Sequence, residues 1–198
     1  MTEKVVLVNE NDEVLGVEEK LATHLRGALH RAFSIFVFNS TGSLLVQRRT
    51  ASKYHSAGLW SNTCCGHPRL GESTEAASRR RLFEEMGFDC ELQKVFEFVY
   101  YAELGDGLFE HEYDHVLVGL FNGIPNPNPQ EVDDWRWVEL PKLKLELQQN
   151  PTHFTHWFRV ALEPLWNRIQ SSQIECVESA TVNAHVVQDQ WISSNSQL

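Results

Sequence analysis

The 198-residue chain has no uninterrupted apolar run near the roughly 18 residues that cross a bilayer. It has no CxxC pair, no internal repeat and no interdomain linker. Four cysteines, two of them adjacent (Cys64, Cys65), are too few to frame a chain of this length with disulfides. A reducing compartment, the cytoplasm, is the expectation. Basic residues are also scarce. Seventeen Lys and Arg against 27 Asp and Glu give a formal charge of −10, which argues against general affinity for nucleic acid or an anionic membrane. The N-terminus shows neither a charged-then-apolar signal pattern nor an Arg/Ser-rich transit segment.

What is present is a globular composition, 42% apolar with 11 Phe and 6 Trp, enough for one domain with a sizeable core. Val5–Val8 reads as a short strand closed by the turn cluster Asn9–Asp12. Ala32–Phe38, rich in aromatic and β-branched residues, reads as a buried strand. The turn Asn39–Gly42 leads it into a hairpin partner, Ser43–Arg49. Ser73–Met86 reads as a helix, capped by Ser73 and closed by Gly87, with Glu75 at its positive end. Val95–Tyr101, Val116–Phe121 and Asp134–Val138 read as strands, and Ile124–Pro129 as a loop. Phe154, Trp157, Phe158, Ala161, Leu162 and Leu165 recur at helical spacing, with Pro164 expected to kink or end that helix. These elements predict an α+β or α/β domain over residues 1–170. Residues 171–198 form a polar extension that reads as a mobile tail, with a short element between Val182 and Ile192.

The densest signal runs from 66 to 88: Gly66, five residues, Glu72, seven residues, then Arg80-Arg81-Leu82-Phe83-Glu84-Glu85-Met86-Gly87-Phe88. It resembles the Nudix box at every fixed position except one, where Arg81 replaces Glu. Arg81 and Glu85 are four apart and so share a helix face. They can hold a diphosphate from two sides, Glu85 through a divalent cation and Arg81 directly. The plainer reading of the helix alone is a solvated face laced by Arg80–Glu84 and Arg81–Glu85 pairs. The length of the box match outweighs it.

Within Asn62-Thr63-Cys64-Cys65-Gly66-His67-Pro68, Cys65 stands directly before the box glycine and His67 directly after it. That combination resembles the type I isopentenyl-diphosphate isomerases, Nudix-fold enzymes that keep their diphosphate intact; the likeness covers roughly Lys4 to Arg168. It implies a mixed β-sheet sandwiched by helices in a single domain. It also implies a metal site of His24, His30, His67, Glu110 and Glu112, with Mn²⁺ or Zn²⁺ as its ion, and Mg²⁺ on Glu85 with the diphosphate. Spacing alone does not select that set, because six further histidines (His55, His111, His115, His153, His156, His185) are available. Only the Glu110/Glu112 pair has a local argument: two apart on a strand is one face.

The resemblance also carries the diphosphate contacts onto Lys20, Arg49, Lys53 and Arg81, with Arg48 a further basic neighbour. It gives proton transfer to Cys65 and Glu112, on opposite faces of a five-carbon group. Tyr100 would hydrogen-bond the acid side and Trp157 would lend its π-face to a tertiary carbocation, a role compatible with core packing. Cys64 reads as an inert buried thiol. The expected partner is a small diphosphate, with no nucleic acid and no membrane, bound by a monomer or weak homodimer. The competing readings are a Nudix hydrolase, which leaves Cys65, Glu110, Glu112 and the histidines without a task, and an inactive Nudix-like binding module.

Overall fold

Strand β3, His30–Phe38, organises the molecule because water reaches neither of its faces. In the computed structural model, which describes residues 3–171, its side chains alternate between two cores. Phe36 and Phe38 point into one, Phe33, Ile35 and Val37 into the other. A strand covered on both sides reads as a continuous apolar run, which is how it was recognisable. It begins at His30, two residues before the apolar run: the histidine pairs in the ladder although its side chain is polar.

The other elements take their places around it. Strands β1 (Lys4–Val8) and β2 (Val14–Glu19) form an antiparallel ribbon that meets β3 at Leu7 and His30. Helix α1 (Lys20–Arg26) follows, capped by the Glu19 side chain and closed by Gly27 in the left-handed region. Strand β4 (Ser43–Arg49) touches β3 only at Phe38 and Leu44 before it diverges to pair with β5 (Trp60–Ser61) and β9 (Val132–Glu139). Strand β6 (Cys64–Gly66) pairs antiparallel with one edge of β3. The other edge pairs in parallel with β8 (Leu108–Leu120), which makes a long hairpin with β7 (Leu92–Gly105). The sheet is therefore mixed, with nine strands among the described residues.

Helix α2 (Thr74–Met86) covers one face through Ala77, Leu82 and Met86. Helices α3 (Leu140–Gln149) and α4 (His156–Gln170) cover the other, through Leu140, Leu143, Phe158 and Leu165 among others. The expected single α+β domain with a sheet between helices is what is found.

Several expectations need correction. Both strands of the β7–β8 hairpin are about twice the length of their apolar stretches. Acidic residues (Glu97, Glu103, Glu110, Glu112, Asp114) interrupt the hydropathy without interrupting the ladder. Pro164 does not end α4, which runs on to Gln170; Phe154 lies before the helix, in a bridge to Trp60. Strand β2 and helix α1 are short and mixed in polarity, and α3 alternates Leu143, Leu145 and Leu147 with charged residues, a period of two that does not announce a helix. The residues proposed as a tail, with Val182–Ile192, lie outside the described residues.

Candidate active site

Register brings the first pair of site residues together. His30 opens β3 directly beside Glu112 on β8, and Tyr100 on β7 lies opposite the same glutamate. The Tyr100 hydroxyl donates to Glu112 Oε2 at 2.5 Å. His67, just after β6, places Nε2 2.9 Å from Glu112 Oε1, and His30 Nε2 lies 3.5 Å from that oxygen. His24, in the last turn of α1, completes a group with His30, His67 and Glu112 whose ligand atoms all lie within 4.8 Å of one another. A second such group is His24, His55 and Glu110. His24 Nε2 is 3.5 Å and His55 Nε2 3.4 Å from the Glu110 carboxylate.

This cluster fits a divalent ion. His24 Nε2, His30 Nε2, His67 Nδ1 and Glu110 Oε2 are buried with no hydrogen-bond partner, an arrangement that costs free energy unless something binds there. Burial holds His24 down to about 3 and His67 down to about 4, so both imidazoles are neutral and ready to donate a lone pair. Burial and the neighbouring Glu112 push the Glu110 carboxyl up. Burial opposes charge on Glu112, but His30 and His67 outweigh it and hold that carboxyl well below its usual range.

Strand alternation decides between the two cysteines. Cys64 points into the core under α2 and is fully buried. Cys65, one residue on, faces the opposite core and the pocket. Its thiol donates to Asn62 Oδ1 at 3.1 Å, and Asn62 is itself fixed by donating to the carbonyls of Ile35 and Cys64. Ser34 Oγ lies 3.6 Å from the sulfur and donates to the buried Asp114. Burial pushes the Cys65 thiol far up. Gly66 lets this turn approach α2: a methyl group there would meet the Phe33 ring at 2.9 Å and the Arg81 stem at 3.1 Å.

Both Cys65 and Glu112 line one pocket, open to solvent, and reach it from opposite edges of β3. Trp157 lines it too, nearly buried, with its indole N–H donating to Ser61 Oγ at 3.0 Å. The guanidinium of Arg49 stands 5.2 Å from the Trp157 ring centre. Lys20, Arg49, Lys53 and Arg81 all line this pocket, so an acidic chain concentrates four cations in one place. Arg48 does not. It turns to Trp60 and Asp134 on the other side of β4.

The box residues divide their labour. Arg80 ties Glu72 to Glu84 and braces the helix, donating to Glu72 through two 2.8 Å bonds and to Glu84 at 3.2 Å. Arg81 and Glu85 pair directly and line the pocket, and Gln47 donates to Glu85 at 3.0 Å.

Sequence reasoning missed Tyr54, His55, Glu131, Ser34 and Asp114. His55 stood among the histidines set aside, yet it belongs to the second ligand group. Of the others set aside, His111 and His115 bond elsewhere, to Gly27 O and Asp12, and His156 stacks on Tyr100. Only the position of His55 two residues after Lys53, in a segment already bearing a phosphate candidate, pointed to it.

The NUDIX domain family model matches residues 28–158. The chain is 53% identical over 163 residues to an isopentenyl-diphosphate Delta-isomerase 2 of Aromatoleum aromaticum, covering 82% of this chain and 86% of that protein. It is 50% identical over 179 residues to an isopentenyl-diphosphate Delta-isomerase of Serratia proteamaculans, covering 87% and 100%. Among solved structures, DR0079 from Deinococcus radiodurans superposes with a TM-score of 0.63 at 23% identity, covering 74% of this chain and 90% of that one. That last likeness speaks to the fold alone.

Proposed function

Because the chain belongs to the isopentenyl-diphosphate Delta-isomerases of the NUDIX domain family, we infer that its pocket interconverts isopentenyl and dimethylallyl diphosphate by adding a proton at one carbon and removing one from another. The observation that carries this reading is the single pocket in which a protonated thiol and a metal-site carboxylate converge from opposite strand edges. An unactivated alkene is a weak base. Its protonation needs a positioned acid, and the resulting tertiary cation needs a stabilising surface and exclusion of water. Cys65 and Glu112 are the acid–base pair. Tyr100 orients Glu112 through its 2.5 Å hydrogen bond. The face of Trp157 stabilises the cation. Lys20, Arg49, Lys53 and Arg81 bind the diphosphate.

His24, His30, His67, Glu110 and Glu112 would hold Mn²⁺ or Zn²⁺, whose charge lowers the proton affinity of Glu112 and fixes its orientation. Glu85 would hold Mg²⁺ against the diphosphate, offsetting repulsion between the anions. Arg81, where hydrolases carry an acid, removes one ligand for hydrolytic metal chemistry and adds a phosphate contact.

The test is an assay of purified protein supplied with metals and isopentenyl diphosphate, following both the dimethylallyl isomer and released phosphate, with Cys65→Ala alongside. Isomer without phosphate, lost in the variant, supports the reading. Phosphate release that survives Cys65→Ala returns the chain to the hydrolases, and silence on both channels makes it a binding module.

A further inference from the structure

The segment between β4 and β5 carries two residues without a role so far. The Tyr54 hydroxyl lies 2.5 Å from His24 Nδ1, and His55 Nε2 lies 3.4 Å from Glu110 Oε1. The far atoms of those two partners, His24 Nε2 and Glu110 Oε2, are buried, have no hydrogen-bond partner, and lie 3.5 Å apart. Each residue thus offers one atom to the segment and leaves the other aimed at the same spot.

We propose that Tyr54 and His55 are positioning residues of the metal site. Tyr54 accepts from His24 Nδ1–H, which leaves Nε2 with the lone pair facing the ion. His55 stands against Oε1 of Glu110 and directs Oε2 to that ion. His30 is oriented likewise by a backbone group, its Nδ1 donating to Ala28 O at 2.9 Å. His55 is not itself a ligand of the main group. His24 Nε2 has one lone pair, so it serves one ion, and His55 Nε2 lies against Glu110 Oε1 and not against Oε2, the oxygen that faces His24 Nε2. Outer partners of this kind fix the tautomer and rotamer of a ligand, and their loss weakens metal binding about 10–100-fold.

A packing role does not account for Tyr54. Its side chain is half exposed, 47% of the residue, so little core depends on it. The same segment carries Lys53, and Arg49 donates to the His55 carbonyl at 3.4 Å. The proposed metal partners therefore adjoin two of the cations assigned to the diphosphate.

The proposal rests on His24 and Glu110 being ligands, and the test separates the two. Metal-stripped full-length protein is titrated with Co²⁺ against a competing chelator, reading the visible absorbance of the bound ion. Tyr54→Phe and His55→Ala are expected to bind Co²⁺ about 10–100-fold more weakly, with an altered spectrum. His55→Gln, which restores an N–H near Glu110, is expected to recover most of the loss. Melting curves of the metal-free variants that match wild type show that folding is intact. Binding within twofold of wild type for both Tyr54→Phe and His55→Ala overturns the proposal, as does a Gln variant as weak as Ala. His30→Ala is the control: if it too leaves Co²⁺ binding unchanged, the metal site itself is misassigned.

Discussion

A thiol serves as an acid only while it holds its proton, and the surroundings of Cys65 see to that. Burial, with the nearby Asp114 carboxyl, pushes its titration up and outweighs its hydrogen bonds to Ser34 and Asn62, which pull the other way. Alkylation by iodoacetamide at pH 8 should therefore be at least about tenfold slower at Cys65 than at free cysteine, as peptide mapping would show. Cys65→Ala should lower kcat about 10²–10⁴-fold with little change in KM. Tyr100→Phe removes a hydrogen bond to a charged carboxylate, about 1.5–3 kcal/mol, and should lower kcat roughly 10–100-fold. A Tyr100→Phe enzyme with unchanged kcat would deny Tyr100 any part in orienting Glu112. At this scale the sequence was informative where a motif isolates a position, as beside Gly66 for Cys65 and His67. It was silent on Tyr54, gave His55 only its nearness to Lys53, and said nothing of Asp114. Their partners His24, Glu110 and Ser34 lie 30, 55 and 80 positions away, and no local pattern encodes such meetings.

Helix α2 shows what one element contributes. Its end is also a hook: Asn126 N–H donates to Met86 O and Asn128 N–H to Glu85 O, at 3.0 and 2.9 Å. That loop leads to Glu131, which bonds Lys53 and Arg81 in the pocket. Gly87 closes the helix at φ 73°, and a methyl group there would run into the Asn126 carbonyl oxygen. Gly87→Ala should destabilise the fold by about 1–3 kcal/mol, measured by urea unfolding. A neutral result would mean that the hook is slack. This helix, its cap and the β3–β4 turn were legible because their signals are local. The β7–β8 hairpin was half legible, since its acids break the hydropathy although three of them, Glu110, Glu112 and Asp114, stand at the site.

In the whole molecule, three of the pocket's four cations already have acidic partners, and Arg49 instead meets the His55 carbonyl and the Trp157 ring. Lys20 pairs with Glu3 at 3.2 Å, Lys53 with Glu131, and Arg81 with Glu84, Glu85 and Glu131. These acids occupy the cations that the proposed substrate would claim. Glu131→Gln should lower KM for the diphosphate about 2–5-fold, the scale of a part-exposed ion pair; a higher KM would instead make Glu131 part of the binding surface. Chelators should abolish turnover, and a binding ion at 100 times its Kd should add about 2.7 kcal/mol to folding stability, seen as a rise in Tm.

The parallel pairing of β3 with β8 has a consequence in time. The Ser34–Asp114 bond spans 80 positions, and the cluster draws on α1, β3, β8 and the turn after β6. Pairings this distant in sequence form slowly, so a nascent or partly collapsed chain should lack the proposed metal cluster. The ion is then a clock for the last step of folding. In stopped-flow refolding with Co²⁺ present, colour should rise in phase with the slowest recovery of tryptophan fluorescence, and the ion should retard unfolding while leaving the refolding rate unchanged.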